Sequence, residues 1–174
     1  MTRRLAGPNG MKNLEVSSQT AWYAEVRLVV DHSVRNLCSR PYQNHPRGCP
    51  NYGKRKSCPP QARTIDDILD LCMPTYVVWN VFDFQEHTSR MKAKHPEWSQ
   101  RQAECCLYWQ GTARKQLRDK VLAFRRIYDT LLPVLTPEAC GVNVTATMSS
   151  VGEKIEWPPV TKTYQVAVFG SRRR

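Results

Sequence analysis

The sequence contains no apolar run long enough to cross a membrane. Its most apolar stretches, residues 26–30 and 76–81, have the length of a strand, whereas a spanning helix needs about 20 apolar residues. The N-terminal residues 1–14 carry two arginines and a Gly-Pro-Asn-Gly turn, without the apolar core of a secretory signal. We therefore expect an intracellular, cytoplasmic protein with no membrane span, whose translation starts at Met1 or at Met11.

The sequence also lacks the patterns of several common chemistries. It has no Ser-His-Asp arrangement, no glycine-rich phosphate loop and no paired-carboxylate motif. Its seven cysteines are odd in number and no secretory signal precedes them. These features argue against a disulfide framework and favour cysteines that bind a metal or react as thiols.

Acidic residues are scarce, with 15 against 26 Lys and Arg, which gives a net charge of +11. Between His32 and Ile65 there is no acid, and we predict that the basic residues of this stretch bind an anion or nucleic acid: Arg35, Arg40, Arg47, Lys54, Arg55, Lys56 and Arg63. Such a surplus favours partners such as nucleic acid or a phosphorylated substrate. The alternative is that these cations only neutralise nearby thiolates.

The order of predicted elements indicates an α/β (or α+β) fold. Residues 22–30, 75–84 and 164–169 are rich in β-branched and aromatic residues and predict strands. We predict helices from Thr64 to Pro74, with Cys72 on the packed face, and over 85–94, 99–132 and 145–151. The longest helix carries an apolar stripe and a basic face, which we interpret as core-packed and solvated, respectively.

We expect one compact domain over residues 20–170, with a central mixed sheet and flanking helices. An irregular tail, 1–19, would precede it, and a basic tail, 171–174, would follow it. A chain of 174 residues is long enough for one domain with a hydrophobic core.

Residues 38–61 form an irregular, proline- and glycine-rich stretch that contains Cys38, Cys49 and Cys58. A loop of this length needs something to order it, and a metal bound by its cysteines would do so. Thiolates are strong ligands of zinc and iron. A [4Fe–4S] cluster suits turning backbone and the Cys58-Pro59 pair, whereas zinc could take His45 as its fourth ligand. Composition leaves both open.

The motifs around these cysteines resemble those of an uncharacterised prokaryotic family of predicted metal-binding proteins. The similarity lies in Val34-Arg35 with Cys38, in the segment 49–54 (Cys-Pro-Asn-Tyr-Gly-Lys), in 58–60 (Cys-Pro-Pro) and in 138–144 (Glu-Ala-Cys-Gly-Val-Asn-Val). It extends over about residues 24–170 and implies an iron–sulfur centre. The resemblance also singles out Cys140, as a fourth ligand, a catalytic thiol or a buried core cysteine.

The chain departs from the family pattern in three places. Residues 40–48 resemble an insertion, and Asn143 stands where the family has Asp. A second cysteine group of the family is reduced to Cys105-Cys106 inside a predicted helix. We therefore expect one metal centre, with these two cysteines as core or surface thiols.

Three functional expectations follow. In the first, a [4Fe–4S] cluster is held by Cys38, Cys49 and Cys58, with Cys140 as a further candidate ligand. The cluster takes part in sulfur transfer, desulfuration or redox chemistry on a nucleotide or other anionic substrate. Cys140, Tyr52 and Lys54 are then the candidate catalytic residues. In the second, a structural cluster or zinc stabilises a non-catalytic module that docks on nucleic acid or in a ribonucleoprotein. In the third, the chain is an accessory subunit of a protein complex.

Overall fold

The computed structural model describes residues 21–42 and 45–174. The predicted tail 1–19 and the alternative start at Met11 lie outside these residues. The elements in chain order are β1 (Tyr23–Glu25), a first 3-10 helix (His32–Ser39), α1 (Ile65–Ile68), β2 (Thr75–Asp83), α2 (Phe84–Lys94), α3 (Gln100–Ala103), α4 (Cys106–Ile127), β3 (Leu132–Val134), a second 3-10 helix (Glu138–Cys140), α5 (Val144–Ser150) and β4 (Lys162–Gly170).

The four strands form one sheet in the order β1-β2-β4-β3. Its centre is the pairing of β2 with β4, which runs from Thr75 opposite Gly170 to Asp83 opposite Lys162. The predicted α/β class with flanking helices is confirmed, but all strand pairs among the described residues are antiparallel, whereas we expected a mixed sheet. The reason is that β2 is buried on both faces, and a two-sided apolar strand has the sequence pattern of a parallel one.

Apolar side chains of β2 alternate between two cores. Val77 and Trp79 face a cluster that also contains Cys140 and Val142. Val78 faces the opposite cluster, built largely by α4. The predicted stripe of the long helix is confirmed, since its members all pack there: Leu117, Val121, Phe124, Tyr128 and Leu131.

The predicted helix over 99–132 is divided in the structure. The capping box of Ser99 and Gln102 starts the short α3, and Cys105 adopts an extended conformation (φ −60°, ψ 125°) before α4 begins. The prediction places Leu132 at the end of the helix, but in the structure it begins β3, which pairs with β4. A periodic apolar pattern does not reveal such a break, because the stripe continues on both sides of it.

The helix that follows Thr64 is shorter than predicted. It ends at Ile68, and Leu69 is extended with ψ 146°. Cys72, which we placed on the packed face of this helix, lies beyond it and is exposed. The C-terminal residues 171–174 pair with the segment that follows α1. The N–H of Asp70 donates to the carbonyl of Ser171 (2.9 Å), and the N–H of Arg173 donates to the carbonyl of Ile68 (3.0 Å).

The first strand is also shorter than predicted, because the chain leaves the sheet after Glu25. Val30 then pairs with Val142 in an isolated bridge, and the N–H of Asp31 donates to the carbonyl of Gly141 (2.8 Å). These contacts bring the first 3-10 helix, which carries Cys38, beside the segment of Cys140.

Among the described residues, no helix is both long and apolar enough to cross a membrane.

Candidate metal centre

Cys38 and Cys49 are held together by their backbones. Cys38 lies near the end of the first 3-10 helix, which Asp31 caps by accepting from the N–H of Ser33 (3.0 Å). The N–H of Cys49 donates to the carbonyl of Cys38 (2.8 Å). Gly48 makes this approach feasible, since it has φ +75° and a Cβ there would stand 2.9 Å from the Cys38 carbonyl oxygen.

Successive turns connect Cys49 to Cys58. The N–H of Tyr52 donates to the carbonyl of Cys49 (3.0 Å), and the N–H of Gly53 donates to that of Pro59 (2.8 Å). The carbonyl of Cys58 accepts from the N–H of Ala62 (2.9 Å). The stretch is irregular, as predicted, but its backbone groups are paired within the loop, which fixes where the three cysteines stand.

Arg35 braces this loop from the first 3-10 helix. Its Nη2 donates to the carbonyls of Ala62 (2.6 Å) and Pro60 (3.4 Å). Burial raises the pKa of both Cys38 and Cys140, and the nearby positive charge of Arg35 offsets part of this rise. The other predicted anion-binding residues are exposed around the loop: Arg40, Arg47, Lys54, Arg55, Lys56 and Arg63.

The three loop thiols influence one another. Burial raises the pKa of Cys38 above its ordinary value, and the neighbouring Cys49, Cys58 and Glu138 raise it further. Negative charges gathered in this way favour a bound cation, which would relieve their repulsion. The donor set of soft thiolates thus suits zinc or an iron–sulfur cluster.

The cysteine side chains do not stand at the distances of a preformed metal site. In the part of the chain that the structure describes, no three His, Cys, Asp or Glu side chains stand close enough together to hold a metal ion. All three loop cysteines are half-buried rather than enclosed, and metal binding would require their sulfurs to move closer together.

Cys140 reaches the loop through its own segment. The hydroxyl of Thr136 donates to the carbonyl of Ser57, next to Cys58 (3.2 Å). Cys140 itself is 4% exposed, and burial raises the pKa of its thiol. Since the thiolate is the nucleophilic form, this environment disfavours a reactive catalytic cysteine. Glu138, which raises the pKa of both Cys38 and Cys140, is a site residue that we did not predict, although the Glu-Ala-Cys-Gly motif contains it.

The remaining candidates lie at the margins of the loop. Tyr52 is 42% exposed and Lys54 is exposed. The ring of His45 lies tilted against that of Tyr42, with centroids 4.6 Å apart. Cys106, the first residue of α4, packs against a cluster that contains Phe82, Phe84 and Trp109. Burial is the main cause of the raised pKa of Tyr42, and Cys49, Cys106 and Cys38 raise it further.

Comparison with known proteins identifies one family. Neither the curated proteins nor the solved structures include a match to this chain. The family model described as predicted metal-binding protein (DUF2284) matches residues 22–127, a range that contains Cys38, Cys49 and Cys58 and ends before Cys140. Because the match covers more than half of the 174 residues, the chain belongs to the DUF2284 family of predicted metal-binding proteins.

Proposed function

We propose that the cysteine loop holds a [4Fe–4S] cluster through Cys38, Cys49 and Cys58, with Cys140 as the fourth ligand. The observation that carries the proposal is the proximity of the loop cysteines. The N–H of Cys49 donates to the carbonyl of Cys38 (2.8 Å), and Cys49 and Cys58 lie close enough to add to the rise that burial causes in the pKa of Cys38. Membership of a predicted metal-binding family supports a metal at this place.

Two features favour a cluster over a single zinc ion. The cysteines stand on consecutive turns, and Pro59 follows Cys58 directly, as in many iron–sulfur sites. A cluster also carries net negative charge, which suits the basic surroundings of the loop.

The activity that we propose is sulfur transfer, desulfuration or redox chemistry on a small anionic substrate. When bound, a cluster held by all four cysteines would supply an electron, whereas a cluster held by the three loop cysteines alone would leave one iron open to a substrate. The chain would contribute the rest: Arg35 holds the Cys58 segment in place, and the exposed cations around the loop attract an anion.

Anaerobic purification with assays for iron, acid-labile sulfide and zinc tests the metal centre. We expect about four irons and four sulfides per chain and a brown chromophore. Cys58→Ser should remove most of the metal, whereas Cys72→Ser, an exposed cysteine outside the loop, should retain it. One zinc without sulfide would contradict the cluster, and full metal content in Cys58→Ser would contradict the ligand assignment.

A second candidate function, docking on nucleic acid, rests on the outer face of α4. This face carries exposed cations in a row: Arg114, Lys115, Arg118, Arg125 and Arg126. Its one acid, Asp119, is 3.4 Å from Lys115. Phosphate contacts make affinity fall steeply with salt. The combined change of Arg114→Ala and Arg118→Ala should lower the salt dependence of RNA binding by about two counterions, while Lys154→Ala, an exposed lysine outside α4, should leave it unchanged.

A further inference from the structure

A small cleft opens beside the cysteine loop. It has a volume of about 230 Å³ and is lined by His32, Arg35, Asn36, Tyr52, Pro59 and Pro60. Its walls belong to the same segments as the cysteines: Asn36 precedes Cys38, Tyr52 follows Cys49, and the two prolines follow Cys58. Any ligand in this cleft therefore lies next to the proposed metal centre.

The fourth cysteine segment also supports a wall of the cleft. A Cβ atom at Gly141, directly after Cys140, would stand 2.3 Å from Nδ1 of His32, so the imidazole lies against the glycine backbone. On its other side, Nε2 of His32 is 3.1 Å from a carboxylate oxygen of Asp66. His32 is thus held in place at the rim by two segments that are distant in sequence.

The cleft is lined by hydrogen-bond donors, and none of its lining residues is acidic. Arg35 uses Nη2 on two carbonyls, and the guanidinium has further N–H groups. The amide of Asn36 and the phenol of Tyr52 add donors from exposed side chains. Two carboxylates lie outside this lining: Asp66, with an oxygen 3.1 Å from Nε2 of His32, and Asp31, which accepts from Ser33. Three cations, Lys54, Arg55 and Lys56, follow Tyr52 along the loop.

We infer that this cleft binds the oxyanion group, a phosphate or a carboxylate, of a small substrate beside the cysteine loop. The inference deepens the proposed function and rests on it for the role of the bound molecule. Sites for drug-sized ligands occupy about 300–1,000 Å³, so a cleft of about 230 Å³ holds the oxyanion and a few further atoms. The remainder of a larger substrate would extend over the basic loop surface.

Calorimetric titration of the purified, metal-containing protein with inorganic phosphate and, separately, with succinate tests this inference at constant ionic strength. One of the two anions should bind with one site per chain, and the better one identifies the phosphate or the carboxylate as the group recognised. Tyr52→Phe removes a single oxygen from a side chain that is 42% exposed, and it should weaken binding about tenfold. Asn36→Ala should have a similar effect.

The matched control is Tyr108→Phe, which makes the same change in a tyrosine of α4 that is 50% exposed. Binding in this variant should equal that of the unmodified chain. The inference is overturned if neither anion binds, or if Tyr52→Phe and Asn36→Ala both bind as tightly as Tyr108→Phe. Iron, sulfide and zinc are measured on the same samples. Anion binding in a protein without metal would support the anion site and reject the metal centre. Metal content without anion binding would support the metal centre and reject the anion site.

Discussion

Gly141 and His32, 109 positions apart in the sequence, are packed so closely that no side chain fits between them. A Cβ on Gly141 would approach Nδ1 of His32 to 2.3 Å, and Gly141 has φ +92°. The contact fastens the segment of Cys140 to the start of the 3-10 helix that carries Cys38. The glycine of the Glu-Ala-Cys-Gly motif is therefore required by both its backbone conformation and its neighbour.

Gly141→Ala should destabilise the protein more than Gly152→Ala. Both positions have positive φ, but no atom lies within 4 Å of a Cβ built at Gly152. Backbone strain alone should cost Gly152→Ala about 1–2 kcal/mol, and displacement of His32 should add at least about 1 kcal/mol at Gly141. Urea denaturation of both variants measures the difference, and equal free energies of unfolding would contradict the tight contact.

Cys140→Ala distinguishes a fourth ligand from a buried core cysteine. If Cys140 is a ligand, iron content should fall, or the visible spectrum should change, while the loop cysteines remain. The control is Cys106→Ala, because Cys106 is a half-buried cysteine at the start of α4 and is not one of the proposed ligands. Unchanged metal in Cys140→Ala would assign that residue to the core. Loss of metal in Cys106→Ala would identify Cys106, instead of Cys140, as the fourth ligand.

The buried His87 should make stability depend on mild acidity. Its side chain is 3% exposed, and burial, helped by the positive charge of Arg90, lowers its pKa from 6.5. The unfolded chain then binds the proton more readily than the folded one, so stability falls as the pH drops below about 6.5, by at most about 1.4 kcal/mol per pH unit.

His87→Gln should flatten this part of the profile of unfolding free energy against pH. His95→Gln, which changes a histidine stacked on Trp98, serves as the control and should retain the slope. The role of His87 would be rejected if the slope between pH 6.5 and 5 were the same in both variants and the unmodified chain.

The carboxylate of Glu156 should make the stability of the fold depend on pH in a more acidic range than His87 does. Its carboxylate accepts from the N–H groups of Val160 (3.1 Å) and Thr161 (2.9 Å) and from the hydroxyl of Thr161 (2.7 Å). These bonds lower its pKa from 4.5 to about 2. The stabilisation by Glu156 is complete at a pH above 4.5, the ordinary pKa of its carboxyl group, and is lost as the pH falls from 4.5 towards 2.

Glu156→Gln should therefore reduce stability at neutral pH and weaken the pH dependence between 4.5 and 2. Asp129→Asn, a change to an exposed carboxylate that follows α4, should keep the acid profile of the unmodified chain. Thermal unfolding at a series of pH values provides the comparison. An unchanged profile in Glu156→Gln would show that these hydrogen bonds do not persist in solution.

Sequence patterns predicted those elements whose signals are local. The strand over 75–84, the helix over 85–94 and the helix near 145–151 correspond to β2, α2 and α5 within a residue or two, because periodicity, caps and prolines act over a few positions. The break at Cys105 and the strand at Leu132 were missed, since an extended residue within a helical stripe and a pairing with β4 depend on distant neighbours.

The sequence by itself determined the cysteine-rich loop, its basic surroundings and the family, since these are properties of composition and spacing. Tertiary structure decided which groups meet. It placed Arg35 on the carbonyls behind Cys58, buried Cys140 in the core and left Cys72 exposed. The physical reason is that contacts across tens of residues depend on how sheet and helices pack, and no local pattern of residues encodes that geometry.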